Sequence, residues 1–282
     1  MADLHELLSR SVARPNRTVR YGPHADNIAD LWLPDSMGRP LVVVIHGGFW
    51  RAAYDRAHTG PMCMALAARG YAVCALEYRH PVPPDIGWPG TFDDIAAGLD
   101  TVPYVLRDLI DTDRLVVLGH SAGGHLALWA SARHRQPHGS RWRRAEPAPI
   151  TGVVSLAGIC DLERAWQLRL GSDAVGSLLG GAPDVRPEQY AVTDPMRLVP
   201  TGVRTVVMHG DSDDSVPVEV SRAYATAARA SGDETDLRVL AGADHFDLID
   251  PLSTAWPHVL EALVDVLRPH GMRGCAYDGS VA

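Results

Sequence analysis

The sequence predicts an α/β fold: a mostly parallel eight-stranded sheet with helices on both faces and a short insertion over the strand ends. Three observations carry the prediction. Short β-branched apolar runs alternate along the chain with Ala- and Leu-rich stretches whose apolar residues recur at helical spacing. The runs Leu41-Val42-Val43-Val44-Ile45 and Leu115-Val116-Val117-Leu118 are continuous rather than alternating, as expected of strands covered on both faces. The second run passes through Gly119-His120-Ser121-Ala122-Gly123 into a buried-type helix, and such strand–turn–helix units build ligand sites at strand ends.

Taken in order, residues 1–17 are a polar lead-in with a short helix. Residues 18–21 and 28–33 are short strands flanking the turn-prone Gly22-Pro23-His24-Ala25-Asp26-Asn27, and so form a hairpin. The strand at 41–45 leads to a helix at 59–68, closed by Gly70. A strand at 71–76 and a helix at 92–99 behind Pro89-Gly90 come next, then the strand–turn–helix unit. Residues 134–149, rich in Arg, Pro and His, read as an irregular surface loop. A strand at 150–156 precedes residues 158–200, whose amphipathic pieces and repeated Gly and Pro read as a small cap-like insertion. A strand at 203–208, a helix at 217–230 opened by Pro217, a strand at 236–240 and a helix at 251–267 complete a single domain over 18–268. Residues 269–282 form a flexible tail, and no internal repeat is present.

Composition removes several function classes. A net charge of −8 gives no basic surface for nucleic acid or an anionic membrane. The one basic knot, Arg141-Trp142-Arg143-Arg144, reads as a solvated loop. The four cysteines (Cys63, Cys74, Cys160 and Cys275) lack metal or redox spacing and read as small buried hydrophobes in a reducing compartment. The start Met1-Ala2-Asp3-Leu4-His5-Glu6 lacks a signal-peptide pattern, and no stretch is long enough to span a bilayer, so a cytoplasmic protein is expected. No H-E-x-x-H motif, dinucleotide fingerprint or P-loop appears, so neither a metal nor another cofactor is expected.

The chemistry gathers just after strands. G-x-S-x-G around Ser121 holds a hydroxyl clear of the sheet at the positive end of a helix, which makes Ser121 the candidate nucleophile. Its base is expected at His245, in Ala241-Gly242-Ala243-Asp244-His245-Phe246, a loop between the last strand and the last helix. His46 and His120 flank the site and are expected to pack or to bond to loop backbones. Three aspartates follow the strand at 203–208, in His209-Gly210-Asp211-Ser212-Asp213-Asp214-Ser215-Val216-Pro217. Asp213 is the expected orienting acid, on the spacing D-x-x-V-P, with Asp214 as its rival and Asp211 as a turn former. The loop His46-Gly47-Gly48-Phe49-Trp50 can aim the N–H groups of Gly48 and Phe49, with that of Ala122, at a developing oxyanion. Trp50, Trp88, Trp166 and Phe246 are candidate walls of an aromatic substrate pocket.

The order Ser121, Asp213, His245 is that of the α/β-hydrolases, which the chain resembles from about residue 21 to residue 267. Within that superfamily, His46-Gly47-Gly48-Phe49-Trp50 resembles the oxyanion loop of kynurenine formamidases and related small esterases. Glu77-Tyr78-Arg79, Trp88-Pro89, Gly119-His120-Ser121-Ala122-Gly123-Gly124-His125 and Asp244-His245-Phe246 carry the same resemblance. It implies hydrolysis of an N-formyl amide such as N-formyl-kynurenine, or of an aryl ester. Phe49 stands where formamidases commonly have Tyr, which removes a hydroxyl from that position. The alternatives are a general short-acyl carboxylesterase or deacetylase and, from another class, a catalytically silent ligand-binding protein of the same fold. The expected partner is a small ester or amide substrate, with no nucleic acid or membrane; a homodimer stays open.

Overall fold

The computed structural model describes residues 10, 12–81, 87–146 and 148–268. The expected strands form one sheet: β1 (Arg17–Arg20), β2 (Ile28–Trp32), β3 (Arg39–Ile45), β4 (Ala72–Leu76), β5 (Ile110–His120), β6 (Gly152–Leu156), β7 (Arg204–Gly210) and β8 (Thr235–Leu240). Their order is β1-β2-β4-β3-β5-β6-β7-β8. The pairs β1–β2 and β2–β4 are antiparallel, and every pair from β4 to β8 is parallel.

The continuous apolar strands are explained by the two cores they feed. Alternate residues of a strand point to opposite faces, so Leu41, Val43 and Ile45 join one cluster while Val42 and Val44 join the other. On the first face lie helices α2 (Gly90–Val105), α3 (Ala122–Ser131) and α7 (Val218–Ala230), contributing Phe92, Leu126, Trp129 and Tyr224. On the second lie α1 (Gly60–Ala68) and α8 (Trp256–Val266), contributing Met62, Leu66, Trp256 and Leu263. A strand covered on both sides has no reason to carry polar residues, and Leu41 to Ile45 are fully buried. Cys63, Cys74 and Cys160 are buried and unbridged, and burial pushes the Cys63 and Cys160 thiols up to about 12.

Several expectations need correction. Strand β5 begins at Ile110, not at residue 115. Its first residues pair with Arg39 and Pro40 at the sheet's margin, where a register shift lets polar Asp111, Asp113 and Arg114 meet water. Helix α2, expected to begin over 92–99, runs from Gly90 to Val105, and α8 starts at Trp256 rather than 251. Within 134–149, Trp142 is buried against Trp88 and Trp129, and its indole N–H donates to Asp93 at 2.7 Å. The knot at 141–144 is therefore solvated at Arg141 but anchored at Trp142. Residues 12–16 are not helical; the rest of the expected N-terminal helix and the tail 269–282 lie outside the described residues. Among the described residues, no helix is long and apolar enough to cross a membrane.

Residues 158–200 carry three short helices, α4 (Leu162–Gln167), α5 (Ala174–Leu179) and α6 (Pro187–Thr193). They are pinned to the sheet layer through α3: His125 Nε2 donates to the Thr193 carbonyl at 3.0 Å, and Trp129 Nε1 to that of Val192 at 2.9 Å. Asp161 caps α4 by accepting from the Arg164 amide at 2.8 Å.

The turn between β5 and α3 is the tightest packing in the sheet. A Cβ on Gly119 would collide with the Gly123 carbonyl, and one on Gly123 with the Ile45 carbonyl. Neither neighbour is a side chain that can swing away. Gly123→Ala is therefore expected to destabilise the protein by more than about 4 kcal/mol, or to prevent folding, as read by urea unfolding. An unfolding midpoint equal to that of the parent protein would refute this account of the turn.

Candidate active site

Four strand ends supply the site. At the end of β5, Ser121 has φ 56° and ψ −119°, a region that L-residues occupy only under constraint. Its own N–H donates to the Leu156 carbonyl at 2.8 Å, and its carbonyl accepts from Ile159 at 3.3 Å, so the end of β6 holds the turn. Ala122 opens α3, which leaves its N–H among the unbonded donors of the helix start.

The loop after β3 lies directly against this turn. A Cβ on Gly47 would stand 2.9 Å from the His120 carbonyl oxygen and 3.0 Å from Ser121 Cβ. Gly48 at φ 101°, Phe49 at 51° and Trp50 at 56° follow in succession, a constrained backbone at the start of the loop. The Arg51 amide closes the turn on the Gly48 carbonyl at 2.9 Å. From above, the insertion reaches the same loop: the Arg51 guanidinium donates to the Gly171 carbonyl, and a Cβ on Gly171 would meet the Phe49 ring at 2.6 Å.

Beyond β7, the three aspartates separate cleanly. Asp213 Oδ1 accepts from the amides of Ser215 and Val216, each at 2.8 Å, and Oδ2 lies 2.7 Å from His245 Nδ1. Asp214 is exposed and takes the Ser215 hydroxyl at 3.1 Å. Asp211 accepts from the Gly242 amide at 2.7 Å and ties its turn to the His245 loop. Burial alone would raise the Asp213 carboxyl, but hydrogen bonds from His209 and His245, the charge of His245 and the Val216 amide hold it well below the usual range. It therefore stays an acceptor, and His245 Nδ1 carries the proton between them.

His245 is placed beside the serine turn by its own backbone. Its carbonyl accepts from His120 Nε2 at 2.9 Å, and the two rings lie 4.6 Å apart. Among the described residues, neither the Ser121 hydroxyl nor His245 Nε2 has a hydrogen-bond partner, and both residues are buried. Burial, then the neighbouring His245 and His58, keeps His120 well below an ordinary histidine. Burial, with His46 and His245 nearby, brings His58 down to about 4. Both therefore stay neutral beside the site at neutral pH.

Of the expected pocket walls, Trp50 is wholly buried, edge-on to His125 at 5.3 Å, so it is core rather than wall. Trp88, Trp166 and Phe246 are half-buried, and Phe246 stands edge-on to the His245 ring at 5.1 Å.

Glu77, at the end of β4, is a site residue that sequence reasoning did not single out for a role. Its Oε1 lies 3.0 Å from His46 Nε2 and 3.3 Å from His80 Nε2, and Oε2 accepts from the Arg56 amide at 2.9 Å. The Tyr78 hydroxyl donates to the His46 carbonyl at 3.0 Å, and the two rings stack at 4.4 Å. His46, Glu77 and His80 offer three ligand atoms within 4.8 Å of one another, but a cation would have to displace these bonds beside the Arg56 guanidinium. The cluster reads as the anchor of the loop that starts at His46.

Comparisons with known proteins bear on the family and the fold. The BD-FAE family model matches residues 29–227. The isoprenylcysteine alpha-carbonyl methylesterase ICME of Arabidopsis thaliana is 26% identical over 284 residues, covering 93% of this chain and 64% of that protein. The chain thus spans less than two thirds of the plant methylesterase. The kynurenine formamidase of Salmo salar is 25% identical over 266 residues, covering 92% of this chain and 84% of that protein. Among solved structures, a truncated carbohydrate esterase from gut microbiota shares the fold, with a TM-score of 0.74, 18% sequence identity and coverage of 90% of this chain and 99% of that one.

The Glu77 anchor makes a testable statement about stability. Burial raises its carboxyl, but bonds from His46, His80 and the Arg56 amide outweigh burial and hold it well below the usual range. A depressed native value adds stability above the ordinary carboxylate range that is lost as pH falls through it. Glu77→Gln should therefore cost about 1–3 kcal/mol in urea unfolding at pH 7, and clearly less at pH 3 to 4. A deficit of equal size at both pH values would contradict the anchor.

Proposed function

The chain belongs to the BD-FAE family, and on that footing we propose that it is a serine hydrolase acting through an acyl-enzyme on Ser121. The observation that carries the reading is the bonded pair of Asp213 and His245 beside a serine at φ 56°. His245 Nε2, left bare because Nδ1 donates to Asp213, takes the Ser121 proton as Oγ attacks the substrate carbonyl carbon. The negative oxygen that forms is held by the N–H groups of Gly48, Phe49 and Ala122. As the intermediate collapses, Nε2 returns its proton to the leaving amine or alcohol. Water then repeats the sequence on the acyl-serine and releases the acid.

For substrate, we propose a small acyl ester or N-formyl amide with an aromatic leaving group. The half-buried rings of Phe246, edge-on to His245, and of Phe49, in the loop after β3, support a flat apolar group over an extended chain. The formamidase of Salmo salar is spanned over 84% of its length, against 64% for the plant methylesterase. Size therefore supports the formamidase reading, and a short-acyl carboxylesterase is the second.

Formate release from N-formyl-kynurenine and hydrolysis of p-nitrophenyl acetate, measured side by side, separate the two. A kcat/KM at least tenfold higher on the formyl amide is expected, and turnover of the acetate alone would move the assignment to the esterase. Ser121→Ala and His245→Ala should each lower kcat by about 10⁴-fold or more with the fold retained, and Asp213→Asn by about 10⁴-fold. Full activity in Asp213→Asn would take the acid's role from that residue.

A further inference from the structure

Asp213 faces two histidines. His209, at the end of β7, is fully buried, with Nε2 2.8 Å from the Val216 carbonyl oxygen and 3.1 Å from Asp213 Oδ2. Its Nδ1 lies 2.7 Å from Ser221 Oγ in α7. A carbonyl and a carboxylate can only accept, so Nε2 carries the ring proton and Nδ1 receives that of the Ser221 hydroxyl. The Ser221 hydroxyl thus fixes the ring so that its Nε2 proton serves the Val216 carbonyl and, at 3.1 Å, faces Asp213 Oδ2, the oxygen that His245 Nδ1 also reaches at 2.7 Å.

We propose that His209 is a positioning residue for the hydrolytic reaction, fixing the Asp213 oxygen that His245 also reaches. The proposal rests on the triad reading given above. An aspartate's terminal torsion is soft, and the Ser215 and Val216 amides hold only Oδ1. Without His209, Oδ2 would be held by the one group it has to steer. The Nε2 proton also draws on the charge of Oδ2, so its removal leaves more of that charge to stabilise a protonated His245. The groups facing His245 are Asp213 with His209 behind it, His120 from β5, and His58 from the 3-10 turn at Arg56–Thr59.

The test compares His209→Phe, His209→Gln and Ser221→Ala on whichever substrate turns over, with Ser121→Ala alongside. His209→Phe should lower kcat by about 10–100-fold, the range for losing a partner behind a functional group, with KM little changed. The acid limb of kcat/KM should move to higher pH. Glutamine places donors near the position of Nε2, so His209→Gln should recover most of kcat and return the acid limb toward its parent position. Ser221→Ala leaves Nε2 in place and should stay within a few-fold of the parent. The proposal is overturned if His209→Phe keeps the parent kcat and acid limb. It is also overturned if both His209 variants lose activity equally with the acid limb unmoved, which is the pattern of a packing residue. Turnover by Ser121→Ala would overturn the serine-hydrolase reading and this proposal with it; a dead Ser121→Ala beside an unaffected His209→Phe overturns this proposal alone.

Discussion

Everything at the strand ends depends on one backbone constraint, the left-handed conformation imposed on Ser121. Such a conformation costs a non-glycine residue about 1–3 kcal/mol, and it persists only where its surroundings leave no alternative. Here they leave none. Gly119 and Gly123 are pressed against carbonyls, Gly124 has room for no side chain between Ser155 and Gly158, and the Ser121 amide is spent on Leu156. The turn starts α3 directly after Ser121, so the proposed nucleophile and the helix-end donor arise from the same strain.

The parallel sheet then does the gathering. Because β3, β5, β7 and neighbouring β8 run in one direction, the loops after them emerge on one edge of the sheet. Each loop is fixed by a different device. Glu77 and Tyr78 hold the first residue of the loop after β3, two amides and two histidines hold Asp213, and His120 holds the backbone of His245. Histidine is the recurring material because one ring can bond in two directions, and burial keeps His120 neutral as a fixed donor.

Much of this was legible in the sequence, for reasons that can be named. Apolar runs of four or five residues can only be two-sided strands in a chain this size, which placed β3 and the end of β5. Asp213 is singled out from Asp211 and Asp214 because the spacing D-x-x-V-P places it in the loop before the helix opened by Pro217, and its bonds to Ser215 and Val216 hold it there. What escaped depends on contacts between distant residues. The polar start of β5 looks like a loop until Arg39 and Pro40 pair with it. Nothing local to Glu77 tells that His46, 31 residues earlier, will lean on it. Trp50 reads as a pocket wall because an aromatic beside a glycine-rich loop is ambiguous until its burial is known. His209 was within the motif that gave Asp213, and went unnoticed because a four-residue spacing carries no meaning outside a helix.

The most direct measurement is intact mass and peptide mapping after brief exposure to a fluorophosphonate, on the parent chain and on His245→Ala. The account predicts a single adduct on the peptide containing Ser121 in the parent and almost none in the variant, since the hydroxyl is activated only by the imidazole beside it. Labelling at another residue, or equal labelling of Ser121 with and without His245, would contradict it.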